Sequence, residues 1–221
     1  MRVECAAVLF DLDGVLVDST ASIERQWSDW AASKGLDPEP FLRVCHGRRA
    51  VETIRLAAPQ LDAEAEVARF RDQPVDNVAL VPLPGARDLL DVLAGAPWAI
   101  VTSGARRFAL ARLAAAGLPT PPILVAAEDV RRGKPSPEGY LRAAELLGVP
   151  PDDCLVFEDA PPGVAAARAA GARVIGVATT HPPEALGDAH AIVSSLADVH
   201  LASSGAGPLA LRVRPMPVIP V

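Results

Sequence analysis

Two carboxylates at spacing i, i+2, Asp11 and Asp13, directly follow the apolar segment 6–10 of this 221-residue chain. Alternate residues of an extended chain point to the same side, so both side chains converge where a buried strand gives way to a loop. Two carboxylates this close repel each other unless a cation or a shared proton lies between them. Asp-Gly pairs are also common in turns, so Asp13-Gly14 alone is equally consistent with an ordinary turn.

Polar residues follow three further apolar segments. They are Thr102-Ser103-Gly104 after 98–101, Lys134 after 123–126, and Glu158-Asp159 after 154–157. Each group has an ordinary alternative, which is a helix entry for the first, a turn for the second and a helix N-cap for the third. The carboxyl ends of parallel strands share one edge of a sheet, so all four groups can meet in one crevice.

These residue types together suit phosphoryl transfer. An aspartate can attack phosphorus as a covalent nucleophile. Hydroxyls and backbone N–H groups at a helix N-terminus can hold phosphoryl oxygens. A lysine offsets phosphate charge, and Lys134 is one of only two lysines in the chain. An acidic pair can complete a site for Mg²⁺, which prefers oxygen ligands.

Strand-like and helical patterns alternate through most of the chain, which predicts βαβ units and a parallel sheet. The predicted strands are 6–10, 98–102, 123–126, 154–157, 173–177 and 191–193, and the predicted helices between them are 86–93, 106–116, 137–147 and 163–170. The fold class is therefore α/β, with a three-layer core built on a parallel sheet.

A run of helical patterns between about 19 and 80 interrupts this alternation. Ile23, Trp27 and Trp30 lie on one face of the first of these helices, and Pro74 must kink or end the last. We expect residues 1–17 and 82–200 to form one core domain and 18–81 to form a smaller inserted α-helical domain. Residues 201–221 are expected to form a C-terminal hairpin or tail.

Composition narrows the possible partners. The formal net charge is −6, and no long basic cluster indicates nucleic-acid or membrane binding. No apolar run approaches the ~18 residues of a membrane span, and no signal-peptide core begins the chain. The three cysteines lack metal-type spacing. We expect a cytoplasmic monomer that acts on a small-molecule phosphate ester.

The motifs resemble those of the haloacid dehalogenase-like superfamily over about residues 5–195. They are Asp11-Leu12-Asp13-Gly14-Val15, Thr102-Ser103-Gly104, Gly133-Lys134-Pro135 and Phe157-Glu158-Asp159-Ala160. The helical insert is similar to the cap of the beta-phosphoglucomutase-like subfamily. The resemblance therefore implies a Rossmann-like catalytic core over residues 1–17 and 82–200 and an α-helical cap domain over residues 18–81. Segments such as Cys45-His46-Gly47-Arg48-Arg49-Ala50 resemble the sugar phosphatase branch, which includes hexose, hexitol, 2-deoxyglucose-6-phosphate and glycerol-3-phosphate phosphatases.

The resemblance implies a role for each motif residue. Asp11 is the nucleophile and Asp13 is the general acid and base. The phosphoryl group would be held by Thr102, Ser103, Gly104 and Lys134, with Ser103 slightly favoured over Thr102 as the hydroxyl donor. Mg²⁺ would be bound by Asp11, the Asp13 backbone carbonyl and Asp159, with Glu158 as a nearer or more distant partner. For the cap we expect Gly47, Arg48 and Arg49 to read the leaving group, although both arginines could equally be solvated.

These features predict a Mg²⁺-dependent phosphatase of small sugar or polyol phosphates that acts through an aspartyl-phosphate. The enzymatic alternative is a phosphosugar mutase, and residue 23 is Ile where the mutases carry a histidine on the first cap helix. Val15 stands where many phosphatases of the group have Thr, which weakens the assignment to a subclass. A non-enzymatic phospho-accepting domain is a further alternative, but such domains have about 120 residues and lack a helical insert.

Overall fold

The computed structural model of the protein describes residues 1–71, 80–203 and 208–217. Three sequence predictions lie outside these residues, namely the helix break at Pro74, the turn of the C-terminal hairpin at 204–207 and the end of the proline-rich tail at 218–221.

The strands are β1 (Arg2–Cys5), β2 (Ala7–Phe10), β3 (Val17–Asp18), β4 (Val81–Pro82), β5 (Trp98–Val101), β6 (Leu124–Val125), β7 (Cys154–Glu158), β8 (Arg173–Val177), β9 (Ala191–Val193), β10 (Val199–Ser203) and β11 (Leu209–Val213). The helices are α1 (Thr20–Ser33), α2 (Glu39–Leu42), α3 (Ala50–Ala57), α4 (Ala63–Arg71), α5 (Ala86–Val92), α6 (Arg106–Ala115), α7 (Glu138–Leu147) and α8 (Pro161–Ala169).

The core is a six-stranded parallel sheet in the order β6-β5-β2-β7-β8-β9. Side chains of β2 alternate between its two faces: Val8 and Phe10 join one hydrophobic cluster, whereas Ala7 and Leu9 join the other. Helices α5 and α6 contribute to the first cluster and α7 and α8 to the second. Because both faces are apolar, both must be covered by helices. The predicted three-layer α/β fold is confirmed.

The register of the parallel strands brings their carboxyl ends to one edge. Phe10 of β2 pairs with Ile100 of β5 on one side and with Phe157 of β7 on the other. The backbone N–H of Asp11 donates to the Phe157 carbonyl at 3.0 Å, which continues the ladder by one residue. Asp11 and Glu158 consequently emerge side by side at this edge.

Helices α1 to α4 form a separate helical block with its own hydrophobic cluster. The rings of Trp27 and Phe41 stack with their centroids 5.8 Å apart, and Trp30 packs edge-on against both. The short strands β3 and β4 pair antiparallel, with Val17 opposite Pro82. The chain therefore enters and leaves the helical block at one narrow ribbon.

A second sheet, formed by the first strand of the chain and the last two, packs against the core. Strands β1, β11 and β10 are antiparallel neighbours in that order. Val3, Leu211 and Val213 belong to the hydrophobic cluster on one face of the parallel sheet. Strand β1 is absent from the sequence predictions, because only alternate residues of its four are buried and so short an alternation carries little signal.

No helix among the described residues is both long enough and apolar enough to cross a membrane.

The three cysteines, Cys5, Cys45 and Cys154, are free and buried. Burial raises the pKa of the Cys5 and Cys45 thiols to about 12 and of the Cys154 thiol to about 11. Buried protonated thiols are poor nucleophiles, so the reactive groups lie elsewhere.

Candidate active site

A buried cluster of one lysine and two carboxylates lies where β2 and β7 end. Asp11 follows β2, Glu158 ends β7, and Lys134 reaches both from the loop before α7. The Lys134 ammonium is ion-paired with Asp11 Oδ1 and with Glu158 Oε1. Asp11 is 5% exposed, Lys134 6% and Glu158 0%, so solvent ions screen these interactions only weakly.

Glu158 accepts hydrogen bonds on both of its oxygens. Besides the lysine ammonium, Oε1 accepts from the Tyr140 hydroxyl at 2.6 Å. Oε2 accepts from the backbone N–H groups of Asp159 at 3.1 Å and Ala160 at 3.3 Å. Gly163 approaches so closely that a Cβ there would lie 1.8 Å from Oε1. These contacts fix the Glu158 carboxylate as the partner of the lysine.

The electrostatics of the cluster follow from its burial. Burial raises the pKa of Asp11 to about 7, although the Lys134 ammonium opposes this shift. The pKa of Asp159 is also raised well above its usual range, by burial and then by the neighbouring Asp11 carboxylate. For Lys134, burial acts to lower the pKa, but the Asp11 and Glu158 carboxylates outweigh it and the pKa is raised. The site thus holds more acidic groups than one lysine can balance.

Three of these acidic side chains form a group that can hold a divalent cation. Carboxylate oxygens of Asp11, Glu158 and Asp159 all lie within 4.8 Å of one another, and such oxygens are the donors that hard divalent cations prefer. Gly14, at φ +83°, allows the loop to pass close by, since a Cβ there would lie 2.0 Å from Asp159 Oδ2. The Asp13 side chain lies outside this group of three, and coordination by its backbone carbonyl stays a prediction.

Asp13 is oriented by two side chains. Its Oδ1 accepts a hydrogen bond from Ser19 Oγ at 2.6 Å, and its Oδ2 accepts one from Arg112 Nη1 at 2.8 Å. Ser19 lies at the N-cap position of α1, but its hydroxyl makes no capping hydrogen bond there. Arg112 lies on α6 and is only 11% exposed at its side chain. Both oxygens of Asp13 are therefore fixed beside the buried cluster.

The two adjacent hydroxyls after β5 have different partners. Ser103 Oγ donates to the Gly47 carbonyl of the helical block at 3.0 Å. Thr102 Oγ1 accepts from the Gly104 N–H at 3.0 Å, so its own hydrogen can be donated elsewhere. An ideal Cβ on Gly104 would lie 3.3 Å from Thr102 Oγ1 and 3.8 Å from Asp13 Oδ2. The Thr102 hydroxyl and the Asp13 carboxylate thus both lie beside Gly104.

A cavity of about 450 Å³ lies between the helical block and the edge of the sheet. Residues from both sides line it, including Asp11, Asp13, Thr102, Arg48, Arg112 and Phe108. Gly47, at φ +74°, packs tightly against the core, since a Cβ there would lie 2.8 Å from the Ala160 Cβ. The cavity is therefore enclosed partly by direct contact between the block and the core.

The two cap arginines differ in what they contact. Arg48 Nη1 donates to the Val44 carbonyl at 3.3 Å within the block. The guanidinium of Arg49 donates instead to the carbonyls of Val130 and Arg131 in the core, each at 2.9 Å. The expectation that both arginines read a leaving group therefore fits Arg48 better than Arg49.

Four residues near the site were not identified from the sequence: Ser19, Glu52, Arg112 and Tyr140. Tyr140 is the only tyrosine of the chain and lies in the segment after Lys134, which is a usable signal. No sequence signal pointed to Arg112, because arginine is abundant in this chain. Its relation to Asp13 depends on how α6 packs beside β2.

A family model described as haloacid dehalogenase-like hydrolase matches residues 5–171. The chain belongs to this family of hydrolases, as its motifs predict. It is 44% identical over 201 residues to hexitol phosphatase A of Escherichia coli (strain K12), an alignment that covers 88% of this chain and 93% of the relative.

Two further comparisons agree with membership of this hydrolase family. Glycerol-1-phosphate phosphohydrolase 2 of Saccharomyces cerevisiae is 37% identical over 187 residues, which cover 79% of this chain and 75% of the relative. The crystal structure of a hydrolase of this family from Deinococcus radiodurans R1, with bound phosphate and sodium, is 33% identical with a TM-score of 0.64. That alignment covers 87% of this chain and 92% of the other.

The carboxylate cluster predicts that Mg²⁺ stabilises the fold. The pKa of Asp11 is raised to about 7 and that of Asp159 is also raised, so protons compete with the cation for these carboxylates as the pH falls. We expect Mg²⁺ to raise the thermal midpoint by a few degrees at pH 8, and less at pH 6, as measured by differential scanning fluorimetry. Asp159→Asn is expected to lose most of this increase, and an equal increase in that variant would contradict the site.

Proposed function

We propose that the protein is a Mg²⁺-dependent phosphatase that hydrolyses small sugar or polyol phosphates through an aspartyl-phosphate on Asp11. The observation that supports this most directly is that Asp11, which is buried and ion-paired with Lys134, lines the same cavity as Asp13. The names of the hexitol and glycerol phosphate relatives agree with this substrate class.

In the first step, a carboxylate oxygen of Asp11 attacks phosphorus and the bond between phosphorus and the ester oxygen breaks. Asp13, protonated at this stage, gives its proton to the departing oxygen. Lys134 and the Thr102 hydroxyl bind phosphoryl oxygens and offset their charge. We assign Thr102 rather than Ser103 to this task, because the Ser103 hydroxyl is already engaged by the helical block.

In the second step, ionised Asp13 takes a proton from a water molecule, and the water oxygen attacks phosphorus of the aspartyl-phosphate. The bond between phosphorus and the Asp11 oxygen breaks, which frees inorganic phosphate and restores both aspartates. Arg112 and Ser19 fix the two oxygens of Asp13. This positioning serves both proton transfers, since the departing oxygen and the attacking water use the same side of the phosphoryl group.

Asp11, Asp159 and the Asp13 backbone carbonyl would hold Mg²⁺. Glu158 would contribute indirectly, because four donors already occupy its oxygens. When bound, the cation supplies positive charge to the phosphoryl oxygens. The protein's own residues carry the attack and both proton transfers.

The helical block would act as a cap that encloses a small substrate and limits access of water. The cavity of about 450 Å³ is within the usual range for small-molecule sites. Arg48 lines it and lacks the core contacts of Arg49, which supports Arg48 as the residue that contacts the sugar or polyol.

Phosphate release from a panel of hexose, hexitol, pentose, glycerol and nucleotide monophosphates tests this function. We expect release from sugar or polyol esters with Mg²⁺ and its loss in EDTA, restored by added Mg²⁺. Full activity in EDTA would contradict the metal dependence. Isomerisation of a sugar phosphate that depends on glucose 1,6-bisphosphate, without phosphate release, would instead indicate a mutase.

A further inference from the structure

We propose that Arg49 and Glu52 of the helical block are positioning residues for Lys134. Both residues contact the loop that carries the lysine. Through these contacts, docking of the helical block on the core would at the same time place Lys134 for phosphate binding. The inference rests on the proposed function, and it concerns two residues that touch no reacting atom.

Glu52 binds the residue directly before the lysine. Its Oε1 accepts a hydrogen bond from the Gly133 N–H at 2.8 Å, across 81 positions of sequence. An ideal Cβ on Gly133 would lie 2.5 Å from Glu52 Oε2 and 2.8 Å from Arg49 Nε. The loop backbone is thus packed directly against this pair of side chains. Hydrogen bonds to an ionised carboxylate are among the stronger ones in proteins.

Arg49 binds the same loop three and four residues before the lysine. Its Nη1 donates to the Val130 carbonyl and its Nη2 to the Arg131 carbonyl, both at 2.9 Å. The same guanidinium donates to Glu52 Oε1 from Nε at 3.0 Å and from Nη2 at 2.7 Å. A planar guanidinium carries several N–H donors in fixed directions, so it can bind two backbone carbonyls and one carboxylate at the same time. The two side chains are only 12% and 22% exposed.

We call these three contacts with the loop, through Val130, Arg131 and Gly133, the clamp. The clamp fixes the backbone of the loop, whereas Asp11 and Glu158 fix the ammonium at the other end of Lys134. Both clamp residues lie at the start of α3, so they move as one with the helical block. If the block moved away, all three contacts would break together and the lysine would lose the support of its backbone.

The test measures binding of inorganic phosphate by titration calorimetry in Mg²⁺ buffer, with kcat and KM for the best ester. We expect Glu52→Gln and Arg49→Gln each to weaken phosphate affinity about tenfold. The double variant should bind phosphate only slightly less tightly than the single variant with the lower affinity, because the effects of substitutions within one hydrogen-bond network are not additive. The increase in thermal midpoint on adding Mg²⁺ should persist, since neither residue belongs to the carboxylate group.

Glu39→Gln is the matched control. It removes an exposed ion pair with Arg43 inside the helical block and leaves the clamp intact. Its phosphate affinity should equal that of the wild type. A purely structural role for the clamp predicts a lower thermal midpoint with unchanged phosphate affinity, and that result would overturn the proposal.

The proposed function and the clamp can fail separately. If the wild type hydrolyses no ester but the clamp variants still bind phosphate about tenfold more weakly, the phosphatase proposal fails and the clamp stands. If the wild type is an active phosphatase and the variants bind phosphate normally, only the clamp is overturned.

Discussion

Asp11→Asn is expected to reduce phosphate release with Mg²⁺ by about ten-thousandfold to about a millionfold, the range seen when a covalent nucleophile is removed. A neutral amide cannot form the acyl phosphate, so no other group can take over the first step. The fold should persist, because Asn has the same size and can still accept a hydrogen bond from Lys134.

The stability of this variant gives an independent reading of the site. The pKa of Asp11 is raised from 3.8 to about 7 in the folded protein, so the free energy of unfolding falls as the pH rises between these two values, and the loss is complete above about pH 7. Without metal at pH 8, Asp11→Asn should therefore be at least as stable as the wild type. With Mg²⁺ the order should reverse, because the variant loses a ligand.

Phosphate release, thermal midpoint and Mg²⁺ response measure these effects in one set of samples. Asp91→Asn, an exposed aspartate on α5, is the matched control and should behave as the wild type. Phosphate release by Asp11→Asn above about one hundredth of the wild-type rate, in protein free of deamidated material, would overturn Asp11 as the nucleophile.

Asp13→Asn is expected to separate the two chemical steps. Hydrolysis of alkyl esters such as hexitol phosphates should slow by about a hundredfold to about ten-thousandfold, because both proton transfers are lost. An activated aryl phosphate has a leaving group that needs no proton, so Asp11 can still be phosphorylated. The phospho-enzyme should then accumulate, because no base activates water.

Rapid quench for burst release of the aryl alcohol and intact mass for one added phosphoryl group measure this outcome. The double variant Asp11→Asn and Asp13→Asn is the control, and it should give neither burst nor adduct. Equal slowing of alkyl and aryl esters without any adduct would contradict the role of Asp13 as acid and base.

Asp11 and Asp13, which these two variants change, belong to a group of residues that sequence patterns identify well. Asp11, Lys134 and Glu158 follow strand-like segments, and parallel strands end at a common edge whatever the details of packing. Helix α1 was also predictable, since the spacing of Trp27 and Trp30 marks an apolar helix face and both side chains are buried. Local periodicity and strand order sufficed for these features.

Contacts between distant segments were less predictable. Ser103 was slightly favoured over Thr102 for binding the phosphoryl group, and the contact of its hydroxyl with Gly47 points to the opposite choice. Arg49 and Glu52 follow a helix-start pattern that says nothing of the loop they bind 81 residues later. Side-chain contacts at such separations depend on how the helical block sits on the core.

The sequence by itself determined which residues able to do chemistry follow the predicted strands, and hence the edge of the sheet at which they meet, because both follow from residue types and from periods of two and 3.6 residues. Only the tertiary structure decided which partners each group has. It pairs Asp13 with Arg112, engages both oxygens of Glu158, and joins Glu52 to the loop of the lysine. Those contacts arise from packing between elements distant in the chain, which no local pattern encodes.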